Sequence, residues 1–218
     1  KSGNHILHGT CPATLAEVVP EDIPGVASAV RIDSRRATVK QGENVFNDHV
    51  HFVDENFLDF FEFPLLRGQA RLADRSALLI TETMAKKFFG TDDPLGRQLT
   101  LYADEPQPMI LTVTGILKDC PKNSSIRFGF LTHLKNQIQT DGPVVYDSWK
   151  WFVDAAFLKL NNPADAPAVE KALKAYVAPQ NQANQDWPVE RYRLEALREM
   201  ALHSRDIRWN NLWGGTPP

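Results

Sequence analysis

The sequence predicts an α+β (mixed α/β) fold, and three observations carry that reading. A short apolar strand at 77–80 runs straight into a capped helix ending at Gly90. Two alternating strands flank a polar, proline-containing loop at 104–108. An apolar strand at 155–160 is followed by an amphipathic helix. Strands and helices interleaved in this way belong to mixed sheets covered by helices. The 218 residues are enough for a substantial core, in one domain or two smaller ones. Apolar residues make up 43% and charged residues 23%, an ordinary globular balance, and 24 Lys+Arg against 27 Asp+Glu leave a net charge of −3. No clustered basic face points to nucleic acid, and no basic amphipathic segment points to a membrane surface. No stretch approaches the ~20 consecutive apolar residues of a spanning helix. The chain starts at Lys1 without an initiator Met or the layout of a signal peptide, so it reads as a mature fragment or a domain cut from a longer protein.

Taken in order, residues 13–23 form a short helix with Leu15, Val18 and Val19 on one side, stopped by Pro24-Gly25. Residues 27–32 read as a strand. The stretch 49–54 alternates, placing Val50 and Phe52 on one face and His49 and His51 on the other. Residues 56–61 make a helical turn with Phe57, Phe60 and Phe61 at i, i+3 and i+4, ended by Pro64. With Phe63 and the following Leu65-Leu66, this aromatic cluster reads as a buried anchor, not an exposed docking patch.

After the strand at 77–80, Thr81 stands at the N-cap, Glu82 in the first turn, Lys86 and Lys87 in the last, and Gly90 just past the end. Each suits the helix's unpaired donors, its dipole and its left-handed exit. Met84/Phe88 and Ala85/Phe89 define the buried stripe. Asp93-Pro94-Leu95-Gly96 is a turn. Leu99 and Leu101 alternate along the next strand, and Met109, Leu111 and Val113 share one face of the strand after the loop. In the last third, a strand at 155–160 leads through Asn161-Asn162-Pro163 into a helix carrying Val169, Ala172, Leu173, Tyr176 and Val177, with Pro167 in its first turn. A polar loop at 180–185 and a strand at 192–197 then complete an expected β-α-β unit.

Reactive constellations are scarce. His49-x-His51 puts two imidazoles on one strand face, but no third metal ligand is recognisable, and Asp54 has the wrong parity. His5, His8, His133 and His203 are isolated. Ser76, Ser124 and Ser125 lack a nucleophile elbow, Asp92-Asp93 reads as turn chemistry, and no glycine-rich phosphate loop is present. Trp149, Trp151, Trp187, Trp209 and Trp213 are scattered, which suits packing better than carbohydrate stacking. Cys11 and Cys120 permit one disulfide, with a pair of inert thiols as the alternative. The expectation is a chain without catalytic, cofactor-binding or metal-binding residues.

Several pieces follow one another in a fixed order: Asp54 and its aromatic turn to Phe61, Phe63-Pro64-Leu65-Leu66-x-Gly68, the helix end Phe88-Phe89-Gly90, Asp93-Pro94-Leu95-Gly96, Gly115-Ile116-Leu117-Lys118-Asp119, and Pro121-x-Asn123-Ser124. This order resembles the MacB-like periplasmic core domain, the extracytoplasmic module of ABC transporter permeases of the MacB/FtsX type. The match is most specific over 53–128. Cys120, where an apolar residue is expected, and the end from Trp213 to Pro218 depart from the pattern.

The resemblance implies a module between the first and second membrane helices of a permease. It implies a porter-like α/β lobe built from both chain ends, 11–35 plus 144–204, and an inserted hairpin-rich α/β lobe at 36–143. Residues 1–10 and 205–218 would be membrane-proximal segments, with hinges near Ser34-Arg35 and 120–125. It places the protein in the bacterial inner membrane with this domain facing the periplasm. It implies no enzyme activity and no cofactor. The implied partners are the permease's own membrane helices, through them an ABC ATPase subunit or domain, and a periplasmic partner protein or substrate. The intact transporter would be a dimer and the isolated domain a monomer. Two other classes stay open on the residues alone: a stand-alone periplasmic binding or sensing module, and a hydrolase with an unrecognised site.

Overall fold

A computed structural model describes residues 6–103, 107–137, 149–200 and 207–208. His5, His203, Trp209, Trp213, the tip of the loop expected at 104–108 and the outer parts of the expected membrane-proximal segments lie outside the described residues. The elements are β1 (Leu7–His8), β2 (Cys11–Pro12), α1 (Leu15–Asp22), β3 (Val26–Gln41), β4 (Asn44–Val53), α2 (Phe57–Phe60), β5 (Leu65–Gly68), β6 (Ala77–Thr81), α3 (Glu82–Phe89), β7 (Gln98–Tyr102), β8 (Met109–Leu117), β9 (Phe130–His133), β10 (Phe152–Val153), β11 (Ala155–Leu160), α4 (Ala166–Ala172), α5 (Val177–Ala183) and β12 (Ile207–Arg208). Helix makes up 25% and strand 37%, so the fold is mixed α/β. The chain divides into two compact units, residues 1–31 with 142–218, and residues 32–141.

In unit 32–141 the strand pairings close on themselves. β3 pairs β4, β4 runs parallel to β9, β9 pairs β6, β6 runs parallel to β8, β8 pairs β7, and β7 returns to β3. β5 adds to the free edge of β8. Alternation along each strand sends Val39, Val50, Phe52, Phe130, Leu99, Leu101 and Val113 to one shared face, and all are buried. Helix α3 covers part of it, its Phe88 ring edge-on to Phe46 at 5.2 Å and Phe130 at 5.6 Å.

The expected strand at 27–32 continues to Gln41 as one 16-residue strand. Ser34 and Arg35 therefore lie inside a ladder, opposite His51 and Val50. A hinge there would have to bend a paired strand, and the division between the two units falls at Arg31/Ile32, just before it. Residues 120–125 lie well within unit 32–141, away from its ends.

In the other unit, Leu15, Val19, Ile23, Val26, Val169, Leu173 and Tyr176 form the core. Arg31 is buried beside it and donates to the Ala13 carbonyl at 3.3 Å and the Glu17 carboxylate at 2.8 Å, which satisfies a charge that would otherwise be costly. The Tyr176 hydroxyl donates to Asp22 at 2.9 Å. Burial first, then the carboxylate, pushes that phenol up to about 12. β1 and β12 pair in parallel, Leu7 opposite Ile207.

Two expectations fail here. The helix from 166 tightens into a 3-10 turn at Leu173–Tyr176 and resumes as α5 to Ala183, so most of the expected polar loop is helical. Asn181 then exchanges two side-chain bonds with the Val189 backbone, at 2.9 and 2.7 Å, and secures the exit. The strand expected at 192–197 is absent, and with it the β-α-β unit. Tyr192 and Leu194 do pack against the core, as their alternation requires. The Leu194 N–H, however, donates to the Glu170 carboxylate at 2.9 Å, so a side chain takes the place of a ladder partner.

Candidate functional site

The groups most capable of chemistry are turned inward or engaged in local structure. The Ser76 hydroxyl donates to Asp74 at 2.8 Å and that of Ser124 to the Ile126 carbonyl at 2.6 Å, so neither faces an imidazole. His133 Nδ1 accepts from the Lys135 N–H at 2.9 Å, and burial pushes its imidazole below the ordinary range. Cys11 and Cys120 are free thiols. Burial pushes the Cys11 thiol up to about 12 and raises that of Cys120, which disfavours the reactive thiolate in both.

His49 is exposed and His51 half-buried on one face of β4, as alternation requires. Arg36 sits directly opposite His49 in the ladder, so a cation there would meet a guanidinium. No cluster of three or more metal-ligating groups occurs among the described residues.

The motif pieces meet one another instead. Thr81 has the extended backbone of an N-cap, but its side chain makes no capping bond. Asp119, brought over by the end of β8, accepts from the Thr83 N–H at 3.0 Å and the Thr83 hydroxyl at 2.7 Å, and so caps α3 from a distant segment. Partial burial acts to raise the Asp119 pKa, but the bonds from Thr83 and Thr81 outweigh it and hold it below the ordinary value. Asp93 accepts from the Leu95 N–H at 3.1 Å and pairs with Arg67 at 2.7 Å. The first and then the second hold its carboxyl low. Gly68 lies so close to β8 that a Cβ there would fall 2.3 Å from the Thr114 carbonyl oxygen. Thus 63–68, 93–96, 115–119 and the start of α3 interlock as one structural knot.

Asp119→Ala is expected to destabilise by about 1 kcal/mol at neutral pH, the usual effect of removing a cap. Because the folded-state pKa is depressed, the contribution is present above the unfolded value near ~3.9 and is lost as pH falls through the folded one. Urea titrations at pH 7 and at decreasing acid pH should show the gap between variant and wild type narrow. A gap that stays constant would deny the carboxylate this role.

The aromatic cluster is a graded stack. Phe57 is fully buried, Phe60, Phe61 and Phe63 are half-buried, and Leu65 and Leu66 are exposed at 40% and 45%, contrary to a wholly buried anchor. Phe63 lies parallel to Phe57 at 5.8 Å and edge-on to Phe128 at 4.7 Å. β5 beside it is a short edge strand with a bulge and an Arg, features that discourage further strand pairing.

A shallow cavity of about 370 Å³ lies between the β3–β4 turn and the end of α3, lined by Gln41, Asn44, Lys86, Asp92 and Arg97 among others. The Asn44 side chain donates to the Phe88 carbonyl at 2.9 Å and holds its wall. The cavity's charged lining is exposed, with Lys86, Lys87 and Arg97 against Asp92, and surface charges of this kind interact only weakly. The outer face of β4, β3, β7 and β8 is a second open surface. It was missed because residues 33–41 were not read as strand. The Gln41-Gly42-Glu43-Asn44 turn, with Gly42 at φ +56°, was the available signal of a hairpin there.

The family model of the MacB-like periplasmic core domain matches residues 4–176. No curated protein matches the chain. Solved structures that share the fold include the following three. A domain of a putative permease protein from Porphyromonas gingivalis has a TM-score of 0.64 and 22% identity, over 86% of this chain and 83% of that one. The extracellular domain of the noncanonic ABC-type transporter YknZ from Gram-positive bacteria has 0.61 and 17%, over 86% and 90%. The periplasmic region of MacB from Actinobacillus actinomycetemcomitans has 0.60 and 14%, over 85% of each chain. The class defined is an extracytoplasmic domain of an ABC transporter permease. Within that class, the chain belongs to the family of MacB-like periplasmic core domains.

Proposed function

We propose that the chain is a non-catalytic, force-transmitting domain that links ATP-driven motion in the cytoplasm to export, or to a partner, on the periplasmic side of a bacterial inner membrane. The observation that carries this is the family membership, taken with motif residues that act as caps, turn formers and close-packing glycines. Such residues hold a body rigid, and rigid bodies transmit displacement. Its partners are the permease's own membrane helices and, through them, an ATPase subunit or domain, with the intact transporter working as a dimer. The two compact units, 1–31 with 142–218 and 32–141, support a division into a lobe built from both chain ends and an inserted lobe.

Nucleotide can shift such a domain only through contacts that differ between two states. In the intact permease, with Cys11 and Cys120 replaced by Ser, spin labels at the exposed positions Glu43 and Lys171 place one probe in each unit. Pulsed-resonance distance distributions should differ between the nucleotide-free and ATP-trapped transporter. Identical distributions, in a transporter shown to be active, would rule out movement between the lobes as the means of coupling.

A further inference from the structure

Strand alternation and register place one open sheet face on the outside of the ring formed by unit 32–141. In the row across it, Val45 of β4 stands opposite Lys40 of β3, Lys40 opposite Thr100 of β7, and Thr100 opposite Ile110 of β8. Two residues along, Tyr102 stands opposite Thr38, and beyond that lies Arg36. Val45, Tyr102 and Ile110 are 51%, 46% and 59% exposed, unusual for large apolar side chains on strands. Arg36 and Lys40 are exposed and form no ion pair among the described residues. The other outward side chains in this area are hydroxyl, amide and imidazole groups. No Asp or Glu of β3, β4, β7 or β8 lies on this face, although the chain as a whole carries −3.

We propose that this face docks an acidic, extended segment of an extracytoplasmic partner protein, one that presents carboxylates together with aliphatic or aromatic side chains. The sign of charge selects the partner. A chain of net −3 repels acidic proteins in general, whereas a face whose described strand residues carry Arg36 and Lys40 and no carboxylate gives such a protein a favoured point of approach. The apolar side chains supply what exposed charges do not, since surface ion pairs alone contribute little. Spacing adds a second criterion. Arg36 and Lys40 are four residues apart on one strand, roughly 13 Å, beyond the ~8 Å screening length at physiological salt. They therefore act as two separate contacts, and a segment lying along β3 with carboxylates four residues apart meets both.

The inference rests on the proposed function for its setting, since it supplies the contact by which an extracytoplasmic partner would engage the domain. The test needs neither transport nor nucleotide, so its failure would leave the distance measurement above untouched. The probe is a seven-residue peptide with two Glu four residues apart, set among Val and Phe, added to the ¹⁵N-labelled 218-residue chain and followed by NMR. Saturable shifts are expected at the amides of 36–40 and 100–102, weakening at least tenfold in Arg36→Glu/Lys40→Glu and several-fold on raising salt. Arg36→Lys/Lys40→Arg should retain binding, and Ile110→Thr should weaken it without moving the shifts elsewhere. The absence of saturable shifts on this face would overturn the proposal. So would equal binding of the same peptide with Lys for Glu. Shifts of this face produced by phosphatidylglycerol vesicles or by self-association of the chain, and not by the acidic peptide, would assign the surface to a different occupant and also overturn it.

Discussion

Gly68→Ala is expected to destabilise the domain by roughly 3–5 kcal/mol, combining left-handed backbone strain with steric overlap. Gly68 has φ +82°, where an L side chain is strained in any surroundings. Its surroundings are also closed. An added Cβ would lie 2.3 Å from the Thr114 oxygen and 2.9 Å from Gly115 Cα, both backbone atoms of β8, and 2.8 Å from Leu95 Cδ2. Relief requires β5 to move away from β8, which endangers the 2.7 Å bond from the Gln69 N–H to that same Thr114 oxygen. Gly90→Ala is the matched control. Its φ is +63° and nothing lies within 4 Å of the new Cβ, so it should cost about 1–3 kcal/mol, the conformational part alone. Urea melts followed by two independent probes measure both. Equal losses would mean that β5 is not held against β8 as described.

The local signals that proved legible are those written within a few residues. Thr81, Glu82, Lys86, Lys87 and Gly90 bracket α3 within about one residue because dipole and exit geometry act locally. Gly68 and Asp93-Pro94-Leu95-Gly96 were readable as a pattern, but their reason was not, since it lies in contacts with β8. Asp119 shows the same limit. Its place after an apolar strand is plain, but its bonds to Thr83 span 36 residues and cannot be seen from either end alone.

The strand expected at 192–197 failed for a related reason. Alternation found the partly buried residues Tyr192 and Leu194, and alternation alone does not say whether the backbone finds a ladder or the Glu170 carboxylate. The continuation of β3 to Gln41 was hidden because 33–41 is polar on its outward side and interrupted by Arg35 on its inward side, leaving Ala37 and Val39 as weak evidence. The proposed docking face lies on that same stretch. A solvent-facing strand gives little hydrophobic pattern, and its unusual feature, an absence of carboxylates across four strands, becomes visible only when the register brings them together.

The second large effect is expected in the aromatic stack. Phe57→Ala should cost about 3–5 kcal/mol, as for a fully buried aromatic truncated in a core. The ring is enclosed on several sides: Phe63 parallel at 5.8 Å, Phe61 tilted at 5.1 Å and Phe128 edge-on at 6.1 Å. Removing it leaves a void that none of these neighbours can fill without losing contact with another, and close-packed interiors relax only partly around such voids. Leu66→Ala, by contrast, should change stability by less than about 0.5 kcal/mol, because its side chain is 45% exposed at the β5 bulge. Read from the sequence, the two residues belong to one buried anchor, and their losses would then be comparable. Read from the structure, the anchor ends at the partly covered Phe63 and the leucines lie outside it. Denaturation of both variants separates the readings, because a Leu66→Ala loss approaching that of Phe57→Ala would place the leucine back in the core.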